Sequence, residues 1–282
     1  MIEKYIESLH KPALLLAGLS LLALTSCNDD EASPVVPELE GTTNLMIDAR
    51  FGDSDFELNK AFRATSGDQS LDYEFTRLRY WVSNVILVKE SGEEFILPNS
   101  YYLMEETGEI PVQDGTFGKV YPANKREEIE LSGIPAGDYK SVKFNIGVEP
   151  KYNDNLTLQI GELTPLNGMA KDSWMWFTSY IFTSAAGKMS LASDAGQTQN
   201  FFLETGSNEM YIQKSVNFEQ PIRISSTTSS SIELILDMQK VVNIENAWDN
   251  AVIGATDVEM MTKLRDNYVD AVSLNTATSS LR

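Results

Sequence analysis

The only cysteine of the chain, Cys27, closes the stretch Leu24-Thr25-Ser26-Cys27. A branched apolar residue, two small residues and then cysteine lets a signal peptidase seat the extended backbone while the thiol takes a diacylglycerol. Ahead of it, Lys4 and Lys11 flank a mixed-charge start, and an apolar run from Ala13 to Leu24 follows. That run suits a signal-peptide core and falls short of the ~20 residues that cross a bilayer. The expectation is a signal peptide over 1–26, cut before Cys27, and a lipid on Cys27 that holds the protein to a membrane.

What the remainder lacks is equally informative. The single histidine, His10, precedes the cut. The mature chain therefore has no Ser-His-Asp or Cys-His site and no imidazole for a metal. No disulfide can form within it either, but 256 of the 282 residues remain after cleavage, enough for a core without staples. A net charge of −19, unchanged by removal of the signal, argues against nucleic acid as a partner. Glu93-Glu94, Glu105-Glu106 and Glu127-Glu128 are neighbours in sequence, so on a strand each pair would point to opposite faces and make no acid/base pair. No phosphate loop, nucleotide fingerprint or nucleophile elbow is present. Binding is expected in preference to catalysis.

The elements that must position any site read mostly as strands. Residues 28–43 (NDDEASPVVPELEGTT), with the lipidated Cys27 before them, look like an acidic tether; 16 extended residues reach on the order of 50 Å. From Asn44, Leu45, Ile47, Ala49 and Phe51 alternate with polar or charged residues and Met46, a period of two. Tyr73, Phe75, Leu78, Tyr80 and Val82 predict another strand with a bulge near Thr76. Further strands are predicted at Phe95–Leu97, Tyr101–Met104, Glu128–Leu131, Tyr139–Val148, Trp174–Phe182, Phe201–Leu203, Met210–Gln213, Ile222–Ile224 and Ile232–Met238. Gly137, in the turn before Tyr139, is expected to take a glycine-favouring conformation, and Ser225–Ser231 to be a solvent loop. Thr256 with Glu259 forms a capping box before a helix whose stripe is Val258, Met261, Leu264, Tyr268 and Val272. The fold class expected is all-β: a two-sheet sandwich over 44–282 with long loops and one C-terminal helix.

Within Trp174–Phe182, Trp174 and Trp176 share one strand face with Tyr180 and Phe182. Both are open to a packing role or to use as a redox or stacking residue. Exposed aromatics such as Trp248 or Trp81 would suit a second reading, a surface module that binds glycan or protein.

Several segments, in order, resemble the MbnP-like family of extracytoplasmic, copper-associated proteins. Leu78-Arg79-Tyr80-Trp81-Val82-Ser83-Asn84-Val85 resembles its early strand, and Leu131 to Tyr139 its "IPAG-x-Y" turn. Leu166-Asn167-Gly168-Met169 with Trp174-Met175-Trp176 and Ser179 to Phe182 resembles its "GM-x-W-x-W" segment, and Phe201 to Ser207 a strand and turn that commonly holds a histidine. The resemblance implies histidine copper ligands, a tryptophan oxidised to kynurenine (candidates Trp174 and Trp176), and a di-haem peroxidase-like or metal-uptake partner. Asp154 and Glu204 stand where histidines are usual. Carboxylates suit Ca²⁺, Mg²⁺ or Mn²⁺ and not soft Cu(I), so a divalent ion becomes the candidate cofactor and copper is disfavoured. Asp29, Asp30 and Glu31, just after Cys27, resemble the export signals of surface lipoproteins in Bacteroidota. The expected location is the outer membrane, on its periplasmic face or at the cell surface.

Overall fold

A computed structural model describes residues 39–66, 69–114, 117–170 and 179–282. Cys27, the signal and most of the tether lie outside the described residues, as do Trp174 and Trp176. Among the described residues no helix is long and apolar enough to cross a membrane.

The alternating segment from Asn44 is a strand, Gly41–Phe51, beginning three residues earlier than its pattern suggested. Leu45, Ile47, Ala49 and Phe51 all face the core, as period two requires. This strand runs antiparallel to Glu128–Ile134 and parallel to Thr228–Asp237, which in turn pairs with Val272–Leu281. The second sheet is built on one strand of 21 residues, Gln69–Lys89. Gly137–Ile146 and Ile181–Leu191 share one of its sides, and Ile212–Ile224 and Asp194–Gly206 extend the sheet outward. Ala61–Ser66, Glu94–Ile96 and Tyr101–Thr107 pair along it as well. Tyr80, Val142, Phe144 and Phe182 belong with Leu45, Leu131 and Leu234 to one continuous buried cluster. The architecture is all-β and sandwich-like, as the sequence pattern predicts.

The bulge is where the spacing placed it. Ala186 pairs with Arg77 and Gly187 with Phe75, leaving Thr76 as the extra residue. Thr76 Oγ1 donates to the Ala186 carbonyl at 3.3 Å. Gly187 permits the close approach: a Cβ there would sit 2.1 Å from the Glu74 carbonyl oxygen.

Four expectations are corrected. Gly137 does not take the left-handed backbone; it already pairs with Ile224, and Gly133 has φ of 70° instead. The reversal is tied by the Tyr139 hydroxyl, which donates to the Pro135 carbonyl at 2.7 Å. Ser225–Ser231 is half strand: Thr228–Ser231 open the Thr228–Asp237 strand, and Ser225, Thr228 and Ser230 are buried. Their hydroxyls are short enough to be satisfied locally, as Thr228 Oγ1 accepting from Ser225 N shows. The helix spans Val258–Ala271 and its cap is Asp257, whose carboxylate accepts from Met260 N at 3.0 Å; Thr256 is one residue too early. Val258 stays exposed, while Met261, Leu264 and Tyr268 are buried. Last, Tyr180 precedes the strand it was expected to belong to, which begins at Ile181.

Candidate functional site

Two places gather polar groups, one on the second sheet and one in the turns beside it. The first follows from alternation along Gln69–Lys89, where Arg77, Arg79 and Trp81 leave the same face. Arg79 lies opposite Glu105 across the strand pair, and its Nε donates to Glu105 Oε2 at 2.7 Å with both side chains sealed from solvent. The Tyr121 hydroxyl and Asn124 Nδ2 donate to the other carboxylate oxygen at 2.5 and 2.8 Å. Burial, and then the charge of Glu105, push the Tyr121 hydroxyl up to about 12, which keeps it a donor. The Arg79 guanidinium also lies over the Tyr121 ring, 4.7 Å from its centre. Glu106 points the other way and pairs with Lys125 at 3.0 Å, so the adjacent carboxylates do diverge.

Glu204 belongs to this first group. Ser184 Oγ donates to it at 3.1 Å and Arg77 Nη2 at 3.5 Å. Burial lowers the Arg77 guanidinium from its ordinary value and Glu204 offsets part of that. Glu204, named with Asp154 as a candidate metal ligand, therefore has an arginine at its side: it pairs with Ser184 across the sheet, and Arg77, which pairs with Ala186, reaches it diagonally.

Asp154 sits in the second place. It follows the short helix Pro150–Asn153, and its Oδ1 accepts from Asn208 Nδ2 at 2.9 Å. With Asn153, Ser179, Ser207, Asn208 and Glu209 it lines a cavity of about 320 Å³. Asn153 is buried and anchors the wall: its Oδ1 accepts from Tyr180 N at 2.8 Å and its Nδ2 donates to Asn208 Oδ1 at 2.9 Å. Ser207, at φ of 71°, turns the chain there without a glycine. The acidic companion of Asp154 in this cavity is Glu209. No cluster of three or more acidic, histidine or cysteine side chains able to hold a metal occurs among the described residues. The side chains offered are oxygen donors and amides, without sulfur or imidazole, and such a set does not suit Cu(I).

Of the two aromatics named for a recognition surface, one is sealed in the core. Trp81 is fully buried, edge-on to Tyr180 at 6.0 Å, which removes it as a surface anchor. Trp248 is partly buried against the core, and its backbone N–H donates to Gln69 Oε1 at 3.1 Å. The arginine face escaped the sequence reading, though a signal existed: two arginines two apart, among Phe75, Leu78, Tyr80 and Trp81, share one face of a strand.

This sandwich with its polar face and oxygen-lined cavity falls within a known class. The MbnP family model matches residues 40–261, and the chain belongs to that family. Among solved structures it is similar to MbnP from Methylosinus trichosporium, at 12% identity over 77% of this chain and 81% of that one, with a TM-score of 0.42. No curated protein matches it.

Proposed function

We propose that this MbnP-family chain is an envelope lipoprotein, held on the outer membrane by lipid on Cys27, that binds a metal or a redox partner and does not catalyse. The observation that carries the reading is the absence of any histidine after Cys27 in a member of the MbnP family, whose resemblance implies histidine copper ligands. Its metal handling has diverged from copper. The Asp154 cavity supports this, because Asp154 and Glu209 with four amide or hydroxyl side chains form an oxygen set that favours a hard divalent ion. Two carboxylates lining one cavity repel, and such an ion relieves that. Expected affinities are weak for Ca²⁺ or Mn²⁺ and low for Cu(I). A di-haem peroxidase-like or metal-uptake protein is the partner the resemblance implies.

Titration of the purified protein with Cu(I) against a competing chelator, alongside calorimetry with Ca²⁺ and Mn²⁺, tests the metal reading. Tight stoichiometric Cu(I) binding overturns it. Fractionation of cells carrying Cys27→Ala tests the anchor: the variant should turn up in soluble fractions or stay unprocessed. A variant that is cleaved normally and still membrane-bound rules the lipid anchor out.

A further inference from the structure

Among the described residues, Arg77, Arg79 and Trp81 each keep a buried N–H without a hydrogen-bond partner: Nε of Arg77, Nη1 and Nη2 of Arg79, and Nε1 of Trp81. Arg79, fully buried, pairs with Glu105 through Nε and lies over the Tyr121 ring, and Arg77 reaches Glu204 at 3.5 Å. A buried donor left unpaired bears its desolvation penalty without return. Several on one strand face mark a surface that gains from an acceptor.

Arg77 also lines a cavity of about 300 Å³ with Leu58, Thr107, Ile110, Pro111 and Phe202 in its walls. Phe202 is 42% exposed, so the cavity has an apolar rim that a ligand can cover. Arg79 stands behind the Ile110 wall. Gly168 lies between them, where a Cβ would be 3.2 Å from Arg79 Nη1 and 3.6 Å from Ile110 Cγ2. Arg77 is the basic side chain among the residues that line the cavity, and Arg79 behind the wall is matched by Glu105. A phosphate dianion would meet Glu109 in the same cavity and Glu204 beside Arg77. A single carboxylate matches the planar fork of arginine at half that charge, and the apolar walls call for an apolar body next to it.

We propose that this cavity binds a small organic carboxylate, which accepts hydrogen bonds from Arg77 while its apolar body lies against Ile110, Pro111 and Phe202. The site is separate from the Asp154 cavity and independent of any metal.

The test is calorimetric titration of the purified, detergent-solubilised full chain with benzoate, acetate, glucuronate and inorganic phosphate. Benzoate should bind saturably at one site and more tightly than the other three. Arg77→Lys, which keeps the charge and loses the fork, should weaken benzoate at least about tenfold. Phe202→Ala, at a partly exposed position, should weaken benzoate about fivefold and leave acetate unchanged. Thermal melts establish that each variant is folded, and Phe202→Ala alone decides the matter if Arg77→Lys is not. Absence of saturable benzoate binding overturns the proposal. So does phosphate or glucuronate binding as tightly as benzoate, or a folded Phe202→Ala variant that binds benzoate like the parent.

Discussion

Arg79 and Glu105 face each other across neighbouring strands, Nε to Oε2 at 2.7 Å, with no water-accessible surface of consequence on either side chain. Such a pair is held only where its remaining lone pairs are satisfied, and Tyr121 and Asn124 do this for Glu105. Truncation to Glu105→Ala leaves a buried guanidinium uncompensated. Urea unfolding should show a loss of about 3–5 kcal/mol. A loss within about 1 kcal/mol would mean that the pair is solvated in solution.

The bulge at Thr76 separates two glycines that look alike in sequence. Gly187→Ala would drive a Cβ into the Glu74 carbonyl at 2.1 Å and into Phe75 Cα at 2.8 Å, both backbone atoms. It should cost at least about 2 kcal/mol, at the upper end of overpacking. Gly137→Ala meets only the Lys89 and Tyr139 side chains, at 3.4 Å or more, and its φ is unstrained. That variant should unfold within about 1 kcal/mol of the parent in the same urea series. Equal losses for the two would contradict the register described for this strand pair.

What could be read from the sequence follows from what each residue pattern encodes. Leu45, Ile47, Ala49 and Phe51 announce their strand because one face of it is buried, and burial writes period two. Val272–Leu281 carries no such mark. It is an edge strand, mostly exposed beyond Val272, and its VSLNTATSSL composition reads as a tail. The strand at Thr228 begins on buried hydroxyls, which polarity alone assigns to a loop. At the site, the resemblance led to Asp154, which does line an oxygen-rich cavity. Glu204, the other acid it named, lies in register with Ser184, whereas the acid that lines the cavity with Asp154 is Glu209, which follows the turn that reaches it. Pairing across strands is a long-range fact, and no spacing along the chain contains it.

Helix Val258–Ala271 offers a test of one cap against its neighbour. Asp257 accepts from Met260 N and also lies where the helix dipole favours an anion. Asp257→Ala should cost about 1 kcal/mol, whereas Thr256→Ala should cost a few tenths. Chemical denaturation of both variants decides it. The reverse order would restore Thr256 as the cap.

Glu127 gives the fold a pH dependence whose sign can be worked out. Burial raises its carboxyl above the ordinary 4.5, and Asp48 adds to that; the Ala49 N–H, 3.2 Å from Oε1, and Lys125, 3.4 Å from Oε2, recover only part. The protonated form is thus favoured more in the folded chain than in the unfolded one. Its contribution to stability is complete below 4.5 and declines as pH rises through the higher folded value. Glu127→Gln keeps the acceptor for Ala49 and removes the titration. At pH 7 the variant should melt at a higher temperature than the parent, because the parent bears the cost of a half-buried charge. Between pH 7 and pH 4 the two curves should converge as the parent's carboxyl takes up its proton. Paired melts at the two pH values read this directly. A parent that is the more stable at pH 7 would show that the Lys125 ion pair outweighs burial, and the sign assigned to Glu127 would be wrong.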